Sequence, residues 1–151
     1  DNQIAFNDVT DLIGVPGYTE PMIQKLRSYV AVLPIPTTIN INTASAEVLM
    51  AVFAGLPRSS ANSIVQNRSS SPAKSLEEIN QLLMRSGAGT NVTVDPSLVN
   101  VNSQYWLASS EVKLGSGIFR NSSLIQRSLS PMALGNYTQV VWNRTSRILS
   151  E

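Results

Sequence analysis

Asp1, Asn7, Asp8 and Asp11 bring oxygen-bearing side chains close together near the start of the chain, the residue types that ligate calcium. Their spacing does not match a calcium loop. Asp8 and Asp11 stand at the first and third positions around the apolar stretch Val9-Thr10-Asp11-Leu12-Ile13, where carboxylates accept from unpaired amides. Helix capping is therefore preferred, with calcium as the alternative. Asp95, before Pro96, is read as a turn residue. Glu77 and Glu78 are adjacent on a helical pattern and point in different directions, so they cannot flank one bond as an acid–base pair. Ser109, Ser110, Ser122 and Ser123 have no histidine to activate them, and Lys25, Lys74 and Lys113 follow no Ser-x-x-Lys pattern. The chain has no histidine and no cysteine, which removes thiol and Ser-His-Asp catalysis, zinc and haem ligation by these groups, and disulfides. No catalytic or cofactor-binding residue is assigned, the metal ligands stay unknown, and the protein is expected not to be an enzyme.

Eleven basic and ten acidic residues leave a formal charge of +1, and only 14% of the 151 residues are charged. That is too little to build the positive field with which proteins gather phosphates, so nucleic acid is not an expected partner. The Asn-x-Ser/Thr triplets at Asn67, Asn91, Asn121, Asn136 and Asn143 are attributed to chance in a chain rich in these residues. No apolar stretch is long enough to span a bilayer. The chain starts at Asp1-Asn2-Gln3 without methionine and is expected to be an excised fragment.

The elements that would position these side chains fall into two classes. Residues 1–90 read as a helical hairpin array. A short helix near Asp8 is stopped by Gly14-Val15-Pro16-Gly17; a second opens at Thr19 and Pro21 and carries Met22, Ile23, Leu26, Tyr29 and Val30 as an inward stripe. Leu33-Pro34-Ile35-Pro36 forces extended backbone. The run Ile39-Asn40-Ile41-Asn42-Thr43-Ala44-Ser45 then joins an alternating segment to a capped helix bearing Val48, Leu49, Val52 and Phe53. A Gly55-Leu56-Pro57 turn leads to a helix over 60–68 with Ala61, Ile64 and Val65 inward. Ser75-Leu76-Glu77-Glu78 reads as a capping box for a further helix with Leu76, Ile79, Leu82 and Leu83 inward.

Residues 91–151 read as a sheet, with β-branched and aromatic residues between closely spaced turns. Val99-Asn100-Val101 precedes a strand that alternates Trp106, Ala108, Ser110, Val112 and Leu114 on one face. Gly115-Ser116-Gly117 makes a hairpin turn, 118–129 a second strand, Ser130-Pro131 a corner, and 137–149 a third strand with Val140 and Trp142 on one face. Trp106 and Trp142 are expected in the sheet core. The fold class is α+β.

The glycine-proline elbow recurs, as Gly14-Val15-Pro16 and Gly55-Leu56-Pro57, each between a helix end and a helix start. Helix-hairpin-helix modules hold DNA phosphates on the backbone amides of such a turn, with cations alongside. Here Arg58 occupies the position of a second glycine and Glu20 follows the first elbow. Neither suits a phosphate.

The motifs resemble the K-type minor pseudopilin of the type II secretion system. The likeness rests on Phe6-Asn7-Asp8-Val9-Thr10-Asp11-Leu12, Val15-Pro16-Gly17-Tyr18, Leu33-Pro34, Ile39-Asn40-Ile41-Asn42-Thr43-Ala44, Gly55-Leu56-Pro57, Ala61, Arg68, Ser75-Leu76-Glu77-Glu78-Ile79 and Ser103-Gln104-Tyr105-Trp106. The resemblance implies a sterile-alpha-motif-like helical insertion (1–90) in a pseudopilin whose C-terminal antiparallel strands (91–151) follow. It implies an assembly part at the pseudopilus tip that initiates or caps the filament and supports protein secretion. Its implied partners are the I-type and J-type minor pseudopilins, with the secretin or secreted cargo as further contacts. It also implies a periplasmic protein anchored in the bacterial inner membrane by an N-terminal helix absent from this chain. The family includes calcium-binding members, so calcium is a possible ligand, with no position here assigned to hold it. The alternative reading is a periplasmic helix-hairpin-helix DNA-binding protein of the competence type, because such proteins use nearly the same Asn-Ile-Asn-Thr-Ala phrase.

Overall fold

The computed structural model describes residues 6–89, 92–127 and 138–148. The chain divides into two compact units, Asp1–Val101 and Asn102–Glu151. This division falls later than the 90/91 boundary expected from composition. The reason lies in Val99, which is buried in the helical core and sits on a strand that pairs with Ile39.

Unit 1 begins with a 3-10 turn, Val9–Gly14, followed by α1, Glu20–Leu26. Helix α1 ends at Leu26, so Tyr29 and Val30 lie beyond it and are exposed; Met22 is exposed as well, and Ile23 is buried. The inward stripe expected there is thus reduced to the buried Ile23 and the half-buried Leu26. A short strand β1, Ile39–Asn40, pairs in parallel with β2, Val99–Asn100. Three helices fill the interval: α2, Ala46–Val52; α3, Arg58–Asn67; and α4, Leu76–Arg85. Ser45 caps α2 by accepting from the Val48 amide, and Ser75 caps α4 by accepting from the Glu78 amide. The returning half of the expected capping box is displaced by one residue, since the Glu78 carboxylate accepts from the Lys74 amide at 2.9 Å. Helix α4 ends in a Schellman turn: Gly87 has φ +74°, its amide donates to the Met84 carbonyl, and the Ala88 amide donates to the Leu83 carbonyl.

Ile41, Leu49, Phe53, Leu56, Ala61, Ile64, Ile79, Leu82, Leu83 and Val99 form one buried cluster. Each large member contributes about 1.5–3 kcal/mol by leaving water. Leu76, expected inward, is the first residue of its helix and is exposed.

Unit 2 is an antiparallel sheet in the order β3 (Tyr105–Leu114), β4 (Gly117–Arg127), β5 (Thr138–Ile148). The β3–β4 turn holds Gly115 at φ +59°, which glycine takes without strain. A register shift at Leu124/Ile125 sets Trp142 opposite Leu124 and Val140 opposite Ile125. Adjacent residues of a strand face opposite sides, so Val140 and Trp142 lie on different faces, contrary to the simple alternation read from sequence. Nor are the tryptophans core residues: Trp106 is 42% exposed, and Trp142 is half-buried beneath the Arg144 guanidinium, 4.6 Å from its ring centroid. Among its described residues unit 2 is a single layer, and a single layer cannot enclose both faces. The corner at Ser130-Pro131 and Tyr137 lie outside the described residues.

Candidate functional site

The Asn40-to-Ala44 run sits where β1 meets α2, and its polar atoms are turned inward on the chain itself. The Asn42 side chain donates to the Ala73 carbonyl at 2.8 Å and accepts from the Ala73 amide at 2.9 Å. Its own amide donates to Asn40 Oδ1 at 2.9 Å, and the Asn40 carbonyl accepts from the Thr43 and Ala44 amides. Ala73 is 5% exposed, so Asn42 provides bonds that water could not readily supply there. Arg68, just past α3, reaches back to the same join and donates through Nη1 to the Ile41 carbonyl at 2.8 Å and to the Ala44 carbonyl. Burial pushes the Arg68 pKa down from its ordinary value, and the two carbonyls compensate the guanidinium. These two side chains fasten the strand–helix join to the end of α3 and to the segment that leads into α4.

The elbows are built differently from phosphate sites. In the second, Gly55 has φ +80°, Leu56 is buried, and Arg58 lies within 3.1 Å of the Glu47 carboxylate. A hydrogen bond from its own backbone amide, followed by Arg58, holds the Glu47 carboxyl below the usual carboxylate range. The cation nearest this turn is thus already matched to an anion. In the first, Gly17 has φ +97° and Glu20 opens α1, adding negative charge where a phosphate would sit.

The acidic cluster is brought together in part. Asp8 accepts from the Thr10 amide at 3.0 Å and hydroxyl at 2.8 Å, while Asp11 accepts from the Asn7 amide at 2.7 Å and the Asp8 amide at 3.0 Å. Together they form a capping box, and Arg27 lies 3.8 Å from Asp8. Asp1 lies outside the described residues. Asp95 accepts from the Ser97 hydroxyl at 2.6 Å and amide at 2.8 Å, and these bonds lower its pKa.

In unit 2 the serines face one another and not a base. Ser109 and Ser122 form a cross-strand pair at 3.2 Å, and the Asn143 amide donates to Ser123 at 2.7 Å and to Asn121 at 3.1 Å. Asn121 and Asn143 therefore serve as an interstrand amide ladder, and Asn67 donates to Ser63; Asn91 and Asn136 lie outside the described residues. An open groove of about 490 Å³ at the end of α4 is lined by Asn80, Leu83, Met84, Gly87, Gly89 and Val92. None of these described lining residues is charged, and Leu83, Met84 and Val92 give the groove an apolar wall. Sequence reasoning missed the roles of Asn42 and Arg68; their only signal was an amide and a guanidinium amid apolar neighbours.

A family model described as type II secretion system (T2SS), protein K matches residues 39–102, from the first residue of β1 to just past Val101. The match encloses Asn42, both capped helices, the second elbow, Arg68 and β2, and thus the whole fastened hairpin. No curated protein matches the chain. Residues 39–102 are therefore similar to the type II secretion system protein K family, a family of bacterial protein-secretion components.

Proposed function

We propose that the protein acts at the tip of the pseudopilus, where it initiates or caps assembly together with the I-type and J-type minor pseudopilins. The observation that carries this reading is the inward use of the motif's polar groups. Asn42 and Arg68 bond to backbone within the chain, so the hairpin works as a rigid block whose outer surface is left for protein contacts. A filament grows only while each subunit presents the same surface to the next, and a bulky head on one subunit stops addition above it. In this reading the protein works in the periplasm from an inner-membrane anchor outside this chain, requires no catalytic group or cofactor, and reaches the secretin or cargo from the tip.

Immunogold labelling of sheared pseudopili tests the position. Label at one end of each filament is expected; label spread along the shaft would overturn the tip assignment. Titration of duplex DNA across a range of salt concentrations addresses the competence-type alternative. Binding that weakens steeply with salt, as phosphate contacts do, would favour that alternative over the assembly role.

A further inference from the structure

Strand β3 pairs with β4 on one side, and no described strand lies on its other side. The residues before and after it are described, and every residue from Trp106 to Leu114 is exposed. Its register with β4 runs from Tyr105 to Leu114 without a shift. Opposed residues of an antiparallel ladder alternate between exchanging backbone bonds and exchanging none. The Arg127 amide donates to the Gln104 carbonyl at 2.9 Å, so the even-numbered residues of β3 turn their backbone toward β4. The odd-numbered residues, Glu111 and Lys113 among them, turn theirs outward.

Unpaired strand edges invite a further strand, and the side chains along the edge decide which strand is admitted. Glu111 and Lys113 are the charged residues of β3, and they stand on one face on either side of Val112. A second β3 laid antiparallel about Val112 sets Glu111 of each copy opposite Lys113 of the other, at the rungs where outward amides and carbonyls can exchange bonds. Arg120 already pairs with Glu111 from β4, and the Glu111 side chain is still half exposed, open to a second cation from the other side. On the opposite face Val112, 58% exposed, meets Val112 of the second copy, and Leu114, 73% exposed, meets Ser110. Phe119 lies opposite Val112 on β4, so an apolar row runs through the join from one copy to the other. Neighbouring registers lose this match. Centring on Glu111 opposes two carboxylates, and centring on Ser110 sets Lys113 against Leu107; like charges across a ladder are destabilising, whereas opposite ones are favourable.

We propose that the edge of β3 pairs with a second copy of this chain, antiparallel about Val112. The contact is isologous, each copy using the same residues. A ladder over residues 110–114 has an ordinary strand length, but an interface of that size is transient, so the pair is populated at high concentration. This holds whatever position the protein takes in the filament.

Light scattering of the present chain should show a mass that rises with concentration toward twice that of the monomer. Glu111→Lys and Lys113→Glu each set like charges opposite one another, and each alone should self-associate about tenfold more weakly. Mixed in equal amounts the two variants should pair again, because lysine then faces glutamate at both rungs. The double variant Glu111→Lys/Lys113→Glu, which exchanges the charges, should pair as the parent does. The chain has no cysteine, so a single introduced cysteine forms a disulfide only with the same residue of another copy. Val112→Cys should cross-link under mild oxidation about tenfold faster than Ser110→Cys, since residues opposed at a rung without backbone bonds lie within disulfide reach. The proposal is overturned if the chain stays monomeric at every concentration, if neither mixing nor the charge exchange restores pairing, or if Ser110→Cys cross-links as fast as Val112→Cys.

Discussion

The Asn42 side-chain amide pairs in both directions with the backbone of Ala73, at 2.8 and 2.9 Å. It imitates one rung of a strand ladder between segments 31 residues apart, and so closes the loop that contains α2 and α3. Replacing Asn42 with alanine leaves the Ala73 amide and carbonyl without these partners in a buried setting. A loss of about 2–3 kcal/mol is expected, read as a lower urea midpoint for unit 1 amide signals. Asn42→Asp keeps the acceptor and loses the donor, so it should also destabilise.

Arg68 supplies the second fastening. Both carbonyls accept from the one nitrogen Nη1, which a lysine ammonium on its shorter stem matches only in part, so Arg68→Lys should retain part of the stability and Arg68→Met should lose about 1.5–3 kcal/mol. The same unfolding measurement orders the three proteins. Equal midpoints would show that the carbonyls of Ile41 and Ala44 do not depend on the guanidinium.

Leu49 is fully buried, whereas Leu107 is 62% exposed on the sheet. Truncating Leu49 to alanine should cost about 2–5 kcal/mol, and the same change at Leu107 should stay within about 0.5 kcal/mol. Thermal unfolding of the two variants side by side checks this contrast. A large effect at Leu107 would mean that the sheet face is covered in solution.

The helical half was more legible than the sheet. Caps and turns are local, and Ser45, Ser75, Gly55 and the Asp8/Asp11 pair were readable because their partners lie a few residues away. Asn42 was not readable, since its partner is remote in sequence. Alternation misplaced Val140 and Trp142 because a bulge, which has no sequence signature here, reverses the pleat between them. Large apolar residues usually lie in a core, which is why sequence places the tryptophans there, but the described part of unit 2 has no second layer. Nothing in Val99-Asn100 shows that it pairs with Ile39 and not with the later strands, so the pairing of β1 with β2 is not legible from composition.

Acid should weaken unit 1. The Ser97 hydroxyl and amide lower the Asp95 pKa, and its own backbone amide together with Arg58 lowers that of Glu47. Carboxyls whose folded pKa is depressed stabilise the fold above their unfolded pKa, and this contribution is lost as pH falls through the folded value. Both groups are exposed, so the effect is small. A gentle fall in urea midpoint below the ordinary carboxylate range is expected, with a shallower slope in Asp95→Asn.

The assembly role is tested most directly by light scattering on the purified periplasmic parts of the protein and of the I-type and J-type minor pseudopilins, alone and mixed. A single species with the summed mass of all three is the expected result. Three independent species at concentrations well above those in the envelope would contradict it.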